Sequence, residues 1–128
     1  MSTTDYLVDT NILIYHTKGS QKTKDFISRL IADDAFFVSI LTKIEFLGWD
    51  KHTPEGFEKC KRFLETATVF PVDDEIATRA IELRRTLSIK LADAVIAATA
   101  LINGLRLATR NVEDFKKIKG LEVVNPLE

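Results

Sequence analysis

The chain has 128 residues, enough for one compact domain with a full core. Its 45% hydrophobic and 29% charged residues suit an ordinary globular protein, and no apolar run reaches the length that spans a bilayer. With 18 basic against 19 acidic residues the net charge is −1, which excludes nucleic-acid binding through bulk positive charge and leaves that work to local basic groups and metal ions.

Residues 1–5, Met-Ser-Thr-Thr-Asp, lack a basic region followed by a long apolar core, so no secretory leader is read there. Tyr6-Leu7-Val8 reads as a short buried strand ended by Asp9-Thr10-Asn11, and residues 11–15 turn helical. Gly19-Ser20 breaks the chain. A second helix starts at Ser20 or Gln21 and carries Phe26, Ile27, Leu30 and Ile31 at helical spacing. Residues 36–39 form a second strand. Residues 40–49 return to helical period, with Ile40, Leu41, Ile44 and Leu47 on one face. Thr53-Pro54 starts a helix to about Glu65, since Thr suits the N-cap and Pro the first turn. It contains the single Cys60, which excludes an internal disulfide and, with the missing leader, favours the cytosol.

Residues 68–72 read as a third strand, placed at an edge by Pro71. Asp73 caps a helix through about Leu87. Residues 91–103 form a helix that is apolar nearly all round and therefore buried on two sides, ended by Asn103-Gly104. Residues 106–109 are a fourth strand, 111–118 a short helix and 121–124 a last strand. Strands alternate with helices from end to end. That pattern predicts an α/β domain over residues 1–128, with helices on both faces of a central, mostly parallel sheet of four to five strands. In such sheets functional groups collect at the carboxyl ends of the strands, where Asp9 and Asn111 fall.

Four acids from distant segments adjoin apolar runs: Asp9, Glu45, Asp93 and Asp114. Each has a bland reading. Asp9 suits an N-cap, and Asn11 a cap or turn. Glu45 lies at the rim of its helix's apolar face, and Asp93 suits the helix dipole in a first turn. Asn111 and Asp114 form a capping-box variant, with Glu113 facing solvent. Taken together the acids point elsewhere, because carboxylates gathered from distant segments repel one another unless a divalent cation joins them. An all-oxygen donor set suits Mg²⁺ or Mn²⁺ rather than zinc. His16 and His52 have no partner at ligand spacing and are read as surface or supporting residues. There is no glycine-rich phosphate loop and no nucleophile elbow.

Four segments resemble the signatures of PIN-domain nucleases, in that family's order and over nearly the whole chain. They are Val8-Asp9-Thr10-Asn11-Ile12-Leu13-Ile14, Thr42-Lys43-Ile44-Glu45-Phe46-Leu47-Gly48, Leu91-Ala92-Asp93-Ala94-Val95-Ile96-Ala97-Ala98 and Leu107-Ala108-Thr109-Arg110-Asn111-Val112-Glu113-Asp114-Phe115. The short length resembles the VapC toxins of toxin–antitoxin pairs. The resemblance implies a three-layer α/β/α PIN-like fold. It also implies Mg²⁺- or Mn²⁺-dependent endoribonuclease activity, with Asp9, Glu45 and Asp93 as the core metal-binding and catalytic acids. Asn111 or Asp114 fills the fourth position; many members carry an acid where this chain has Asn111. Lys43, Arg84, Arg85, Lys90 and Arg110 are candidates for holding RNA phosphates. A homodimer and a small VapB-like antitoxin, whose tail covers the cleft, are the implied partners, with no membrane. The alternatives are a PIN-fold RNA-processing nuclease outside a toxin system, and an RNA- or partner-binding module with little catalysis. A phosphorelay receiver needs adjacent acids at the first strand end, where Asp9 stands alone.

Overall fold

The computed structural model describes residues 5–128; residues 1–4, most of the segment in which no leader was read, lie outside the described residues. Five strands, β1 (Tyr6–Val8), β2 (Phe36–Ser39), β3 (Thr68–Phe70), β4 (Arg106–Ala108) and β5 (Val123–Val124), form one sheet in the order β3-β2-β1-β4-β5. Every pairing is parallel, with Tyr6 opposite both Phe36 and Arg106. The seven helices among the described residues are α1 (Thr10–Thr17), α2 (Gln21–Ala32), α3 (Ile40–Leu47), α4 (Pro54–Leu64), α5 (Asp74–Thr86), α6 (Leu91–Asn103) and α7 (Val112–Phe115).

Alternation along the short strands divides the interior in two. Leu7 and Leu107 join one core with Ile76, Ala80 and Leu83 of α5, the buried run Ala94–Ala98 of α6, and Phe115 of α7. Their neighbours Val8 and Ala108 face the opposite core, built with Ile12 and Leu13 of α1, Phe26, Ile27 and Leu30 of α2, Phe46 of α3, and Cys60 and Leu64 of α4. The apolar faces of α2 and α4 are thus largely core, with Ile31 left 39% exposed at the α2 rim. Side-chain caps start most helices where the sequence places them: Ser20 for α2, Thr53 for α4 and Asp73 for α5 each accept a bond from a first-turn N–H. Gly104, at φ 65°, closes α6 in the left-handed conformation that glycine adopts without strain.

The structure differs from the sequence reading in a few places. β3 ends at Phe70, before Pro71, and is indeed an edge strand. α7 is four residues long instead of running to 118, and Asn111 makes no side-chain cap bond there. The largest departure is the face of α3. Thr42 and Phe46 are buried, whereas Ile44 is 59% exposed. α3 crosses the carboxyl edge of β2 and contacts α1, α4 and α6 together, so the face that turns inward is the one shared by positions 42 and 46, one helical turn apart.

Thr42 is fully buried, and its hydroxyl has no hydrogen-bond partner among the described residues. An unpartnered buried hydroxyl costs about 1–3 kcal/mol relative to a satisfied one. Thr42→Val, which keeps the shape, is expected to leave stability unchanged or raise it by about 1 kcal/mol in urea unfolding. A loss of more than that amount means that the hydroxyl has a partner.

Candidate active site

The strand order places β1 and β4 side by side, with their following segments diverging to opposite sides of the sheet. In an open parallel sheet such a divergence, at the carboxyl ends of the strands, is the usual place for a ligand crevice. Asp9 ends β1 at this point, and its N–H donates to Ala108 O at 2.9 Å. The residue is only 7% exposed. Oδ1 accepts from Thr10 N at 2.8 Å, so the N-cap reading holds for one of its oxygens. Oδ2 accepts from the Thr109 hydroxyl at 2.8 Å and from Asn11 Nδ2 at 3.4 Å. Thr109, itself fully buried, also accepts from Asn11 Nδ2 at 3.3 Å and from Asn111 N at 3.0 Å. Asn11 closes the bridge between the two loops by accepting the Arg110 N–H at 3.1 Å.

Burial pushes the Asp9 carboxyl up from its ordinary 3.8 to about 6; the bonds from Thr109 and Thr10 oppose this, while the charges of Asp93 and Glu45 add to it. Asp93 is the third residue of α6, whose N-cap Lys90 supplies no side-chain cap bond. Its carboxyl is also raised, first by burial and then by the charge of Asp114, with a smaller push from Glu45 and opposition from Lys90. Glu45, exposed on α3, accepts a 2.7 Å bond from the Thr10 hydroxyl through Oε1. Asp9, Glu45, Asp93 and Asp114, from four separate segments, therefore sit within one electrostatic neighbourhood. Asn111 does not belong to it as a charge: it gives its backbone N–H to Thr109 and lines a neighbouring cavity.

Among the described residues no three Asp, Glu, His or Cys side chains close into a cage that would hold a metal ion unaided. An open set of oxygen donors, in which the Asp9 and Asp93 carboxyls are raised by burial and by neighbouring negative charge, fits a hard divalent cation that keeps several of its waters, as Mg²⁺ does. It does not fit zinc, which prefers nitrogen and sulfur. The two histidines lie away from the acids and are half-buried packing groups: His16 stacks on Phe63 at 4.3 Å, and His52 Nε2 bonds Phe46 O at 2.8 Å.

Of the basic residues singled out in the sequence, Lys90 acts on Asp93, and Arg110 lies at the edge of the crevice with its guanidinium 4.9 Å from the Tyr15 ring centroid. Lys43 is exposed on α3, and Arg84 and Arg85 are exposed in the last turn of α5, where they complement the helix dipole. Sequence reasoning passed over Thr10 and Thr109. A hydroxyl residue ending a buried strand beside an acidic motif was the available signal for Thr109.

The family model described as PIN domain matches residues 6–121 of the chain. Ribonuclease VapC1 of Rickettsia felis is 32% identical over 128 residues, covering 92% of this chain and 93% of that protein. Ribonuclease VapC10 of Mycobacterium tuberculosis is 33% identical over 121 residues, covering 91% of this chain and 90% of that protein. Among solved structures, a toxin–antitoxin complex from Klebsiella pneumoniae contains a similar chain, with TM-score 0.77 at 33% identity over 95% of this chain and 98% of that one. VapBC2 from Rickettsia felis, bound to a promoter DNA fragment, is similar in fold, with TM-score 0.82 at 23% identity over 94% of this chain and 97% of that one.

An acid held above its ordinary value stabilises the fold fully below the ordinary value and loses that contribution as pH rises through the raised one. For Asp9 the window runs from 3.8 to about 6, and at ~1.4 kcal/mol per pH unit it amounts to ~3 kcal/mol. In chelator, the stability of the unaltered protein relative to Asp9→Asn is expected to fall by roughly that amount between pH 4 and pH 7.5 in urea unfolding. A pH-independent difference would show that Asp9 ionises normally.

Proposed function

This chain belongs to the PIN domain family, and on that premise we propose that it is a metal-dependent endoribonuclease and the toxin of a toxin–antitoxin pair. The observation that carries the reading is the meeting of Asp9, Glu45, Asp93 and Asp114 at the diverging carboxyl ends of β1 and β4. Relatives named as ribonucleases, 32–33% identical over some nine-tenths of the chain, support RNA as the substrate. The Klebsiella complex supports an antitoxin partner, here a VapB-like one.

The proposed ion is Mg²⁺ or Mn²⁺, with Asp9, Glu45 and Asp93 as its ligands and Asp114, in preference to Asn111, as the fourth. The chemistry such an ion supplies is a more acidic bound water and neutralisation of charge at the phosphodiester. Asp9 is the oriented member of the set, since both of its oxygens are held by donors. Glu45 has one oxygen fixed by Thr10 and serves as the acid that orients the attacking water. Lys90 offsets the charge of Asp93. The reading includes a single PIN domain over residues 1–128, a cytoplasmic location and a homodimer. Ile44, Trp49 and Leu91, each more than half exposed, are apolar groups that a partner would cover. No helix among the described residues is long and apolar enough to cross a membrane.

Incubation of the partner-free protein with total cellular RNA tests this. Discrete cleavage is expected with Mg²⁺ or Mn²⁺, none in EDTA, and a loss of at least about 100-fold in Asp9→Asn and Asp93→Asn. Asp114→Asn should raise the metal concentration needed for half-maximal rate, while Asn111→Ala should not. A folded sample that cuts no RNA under either metal would move the reading to an RNA- or partner-binding module.

A further inference from the structure

An acidic crevice repels the phosphate backbone, so the substrate needs a cation that the acids do not themselves consume. Lys90 is partly spent on Asp93. Arg110 is placed differently. Its N–H is tied to Asn11 Oδ1 at 3.1 Å, which fixes its backbone immediately after Thr109, the residue that bonds Asp9. Its guanidinium carbon lies 4.9 Å from the centroid of Tyr15, one helical turn beyond Asn11 on α1. Among the described residues no carboxylate lies within ion-pair distance of it. Stacking on an aromatic face restrains the planar fork while leaving its N–H edge available, and that edge matches two phosphate oxygens.

Beside Arg110 opens a polar cavity of about 390 Å³ that is also lined by Asn111, Asp114, Asn125 and Glu128. Its size lies within the range of small-ligand sites and admits a nucleoside. The lining offers carboxylates and amides that match base amino and carbonyl groups, and only one cation, at its edge. It shares Asp114 with the acidic cluster, so a nucleoside seated there adjoins the scissile bond.

We infer that Arg110, laid over Tyr15, is a substrate-positioning residue that holds the phosphate next to the scissile one in a single RNA strand, with the adjoining nucleoside in the cavity lined by Asn111 and Asn125. The inference rests on the nuclease reading for its substrate. It differs from that reading in assigning binding to a group outside the acids.

The test uses a fluorescent single-stranded RNA carrying a site mapped from total-RNA cleavage, or a random-sequence single strand if nothing is cut. Kinetics of Arg110→Gln, Tyr15→Leu and Tyr15→Phe are compared with Arg62→Gln, an exposed charge on α4. Arg110→Gln is expected to raise KM on the order of tenfold with kcat within about twofold, and to flatten the slope of log kcat/KM against log salt by about one. Tyr15→Leu should raise KM by a smaller factor, Tyr15→Phe should restore it, and Arg62→Gln should leave it unmoved. Binding of the same RNA is measured by anisotropy in Asp93→Asn, with and without Arg110→Gln. Arg110-dependent binding without any cleavage by the unaltered protein overturns the nuclease reading and keeps Arg110 as a single-strand RNA-binding residue, but not its place beside a scissile phosphate. Cleavage with KM and salt slope unchanged in Arg110→Gln overturns this inference and keeps the nuclease. A loss in kcat alone, or no RNA binding at all, also overturns it.

Discussion

Like charges gathered from distant segments are the constraint on which this molecule depends. Bringing Asp9, Glu45, Asp93 and Asp114 to one edge of a sheet opposes folding, because each carboxylate is partly desolvated or faces another negative charge. The fold meets this cost with two packed cores rather than with ion pairs. Only two salt bridges are formed among the described residues, Arg106–Glu122 and Lys116–Glu113, and neither involves the cluster. Apolar burial on both faces of the sheet holds β1 and β4 in register, and register places Asp9 beside Thr109. A slip of one residue between β1 and β4 would exchange the faces of Leu107 and Ala108 and carry Thr109 away from Asp9, so packing and site geometry are secured by the same pairing.

Much of this was legible in the sequence because parallel sheets leave a strong trace. Short apolar runs, capping residues at helix starts and the alternation of strand and helix marked nearly every element, and the acids stood out by lying next to apolar runs. The orientation of α3 was not legible. Counting apolar positions favoured Ile40, Leu41, Ile44 and Leu47, but that helix bridges the two helical layers at the end of β2, and the contacts that orient it come from segments distant in sequence. Glu45 reaches Thr10 only with the 42/46 side turned toward the protein, which sends Ile44 outward. The choice between Asn111 and Asp114 was hidden for a related reason. Spacing alone allows either to join the cluster; in the structure the charge of Asp114 acts on Asp93, while Asn111 gives its backbone N–H to Thr109.

The hydroxyl residues explain why Asp9 and not another acid is the fixed point. Thr109 joins Asp9, Asn11 and Asn111 through one buried oxygen, so the β1–α1 and β4–α7 loops share a common junction. Three hydrogen bonds to the carboxylate lower the cost of its charge, yet burial still dominates, and the group remains well above its ordinary value. A buried acid kept in this condition is a poor structural element and a good receptor for positive charge.

The remaining acids are held progressively less firmly. Among the described residues Asp93 is half-buried without a hydrogen-bonded partner, Glu45 is exposed with one oxygen bonded to Thr10, and Asp114 is exposed on a single-turn helix. A closed cage would demand that all four be fixed at once, with full desolvation of each. The gradient from fixed to loose concentrates that cost at one residue, where a junction of hydrogen bonds already exists. It leaves the others less buried and less tightly held. This arrangement suits the proposed magnesium or manganese, because such an ion surrenders its waters reluctantly and is held through one or two firm carboxylates. It also leaves coordination positions open to phosphate, which a complete cage of protein ligands would not.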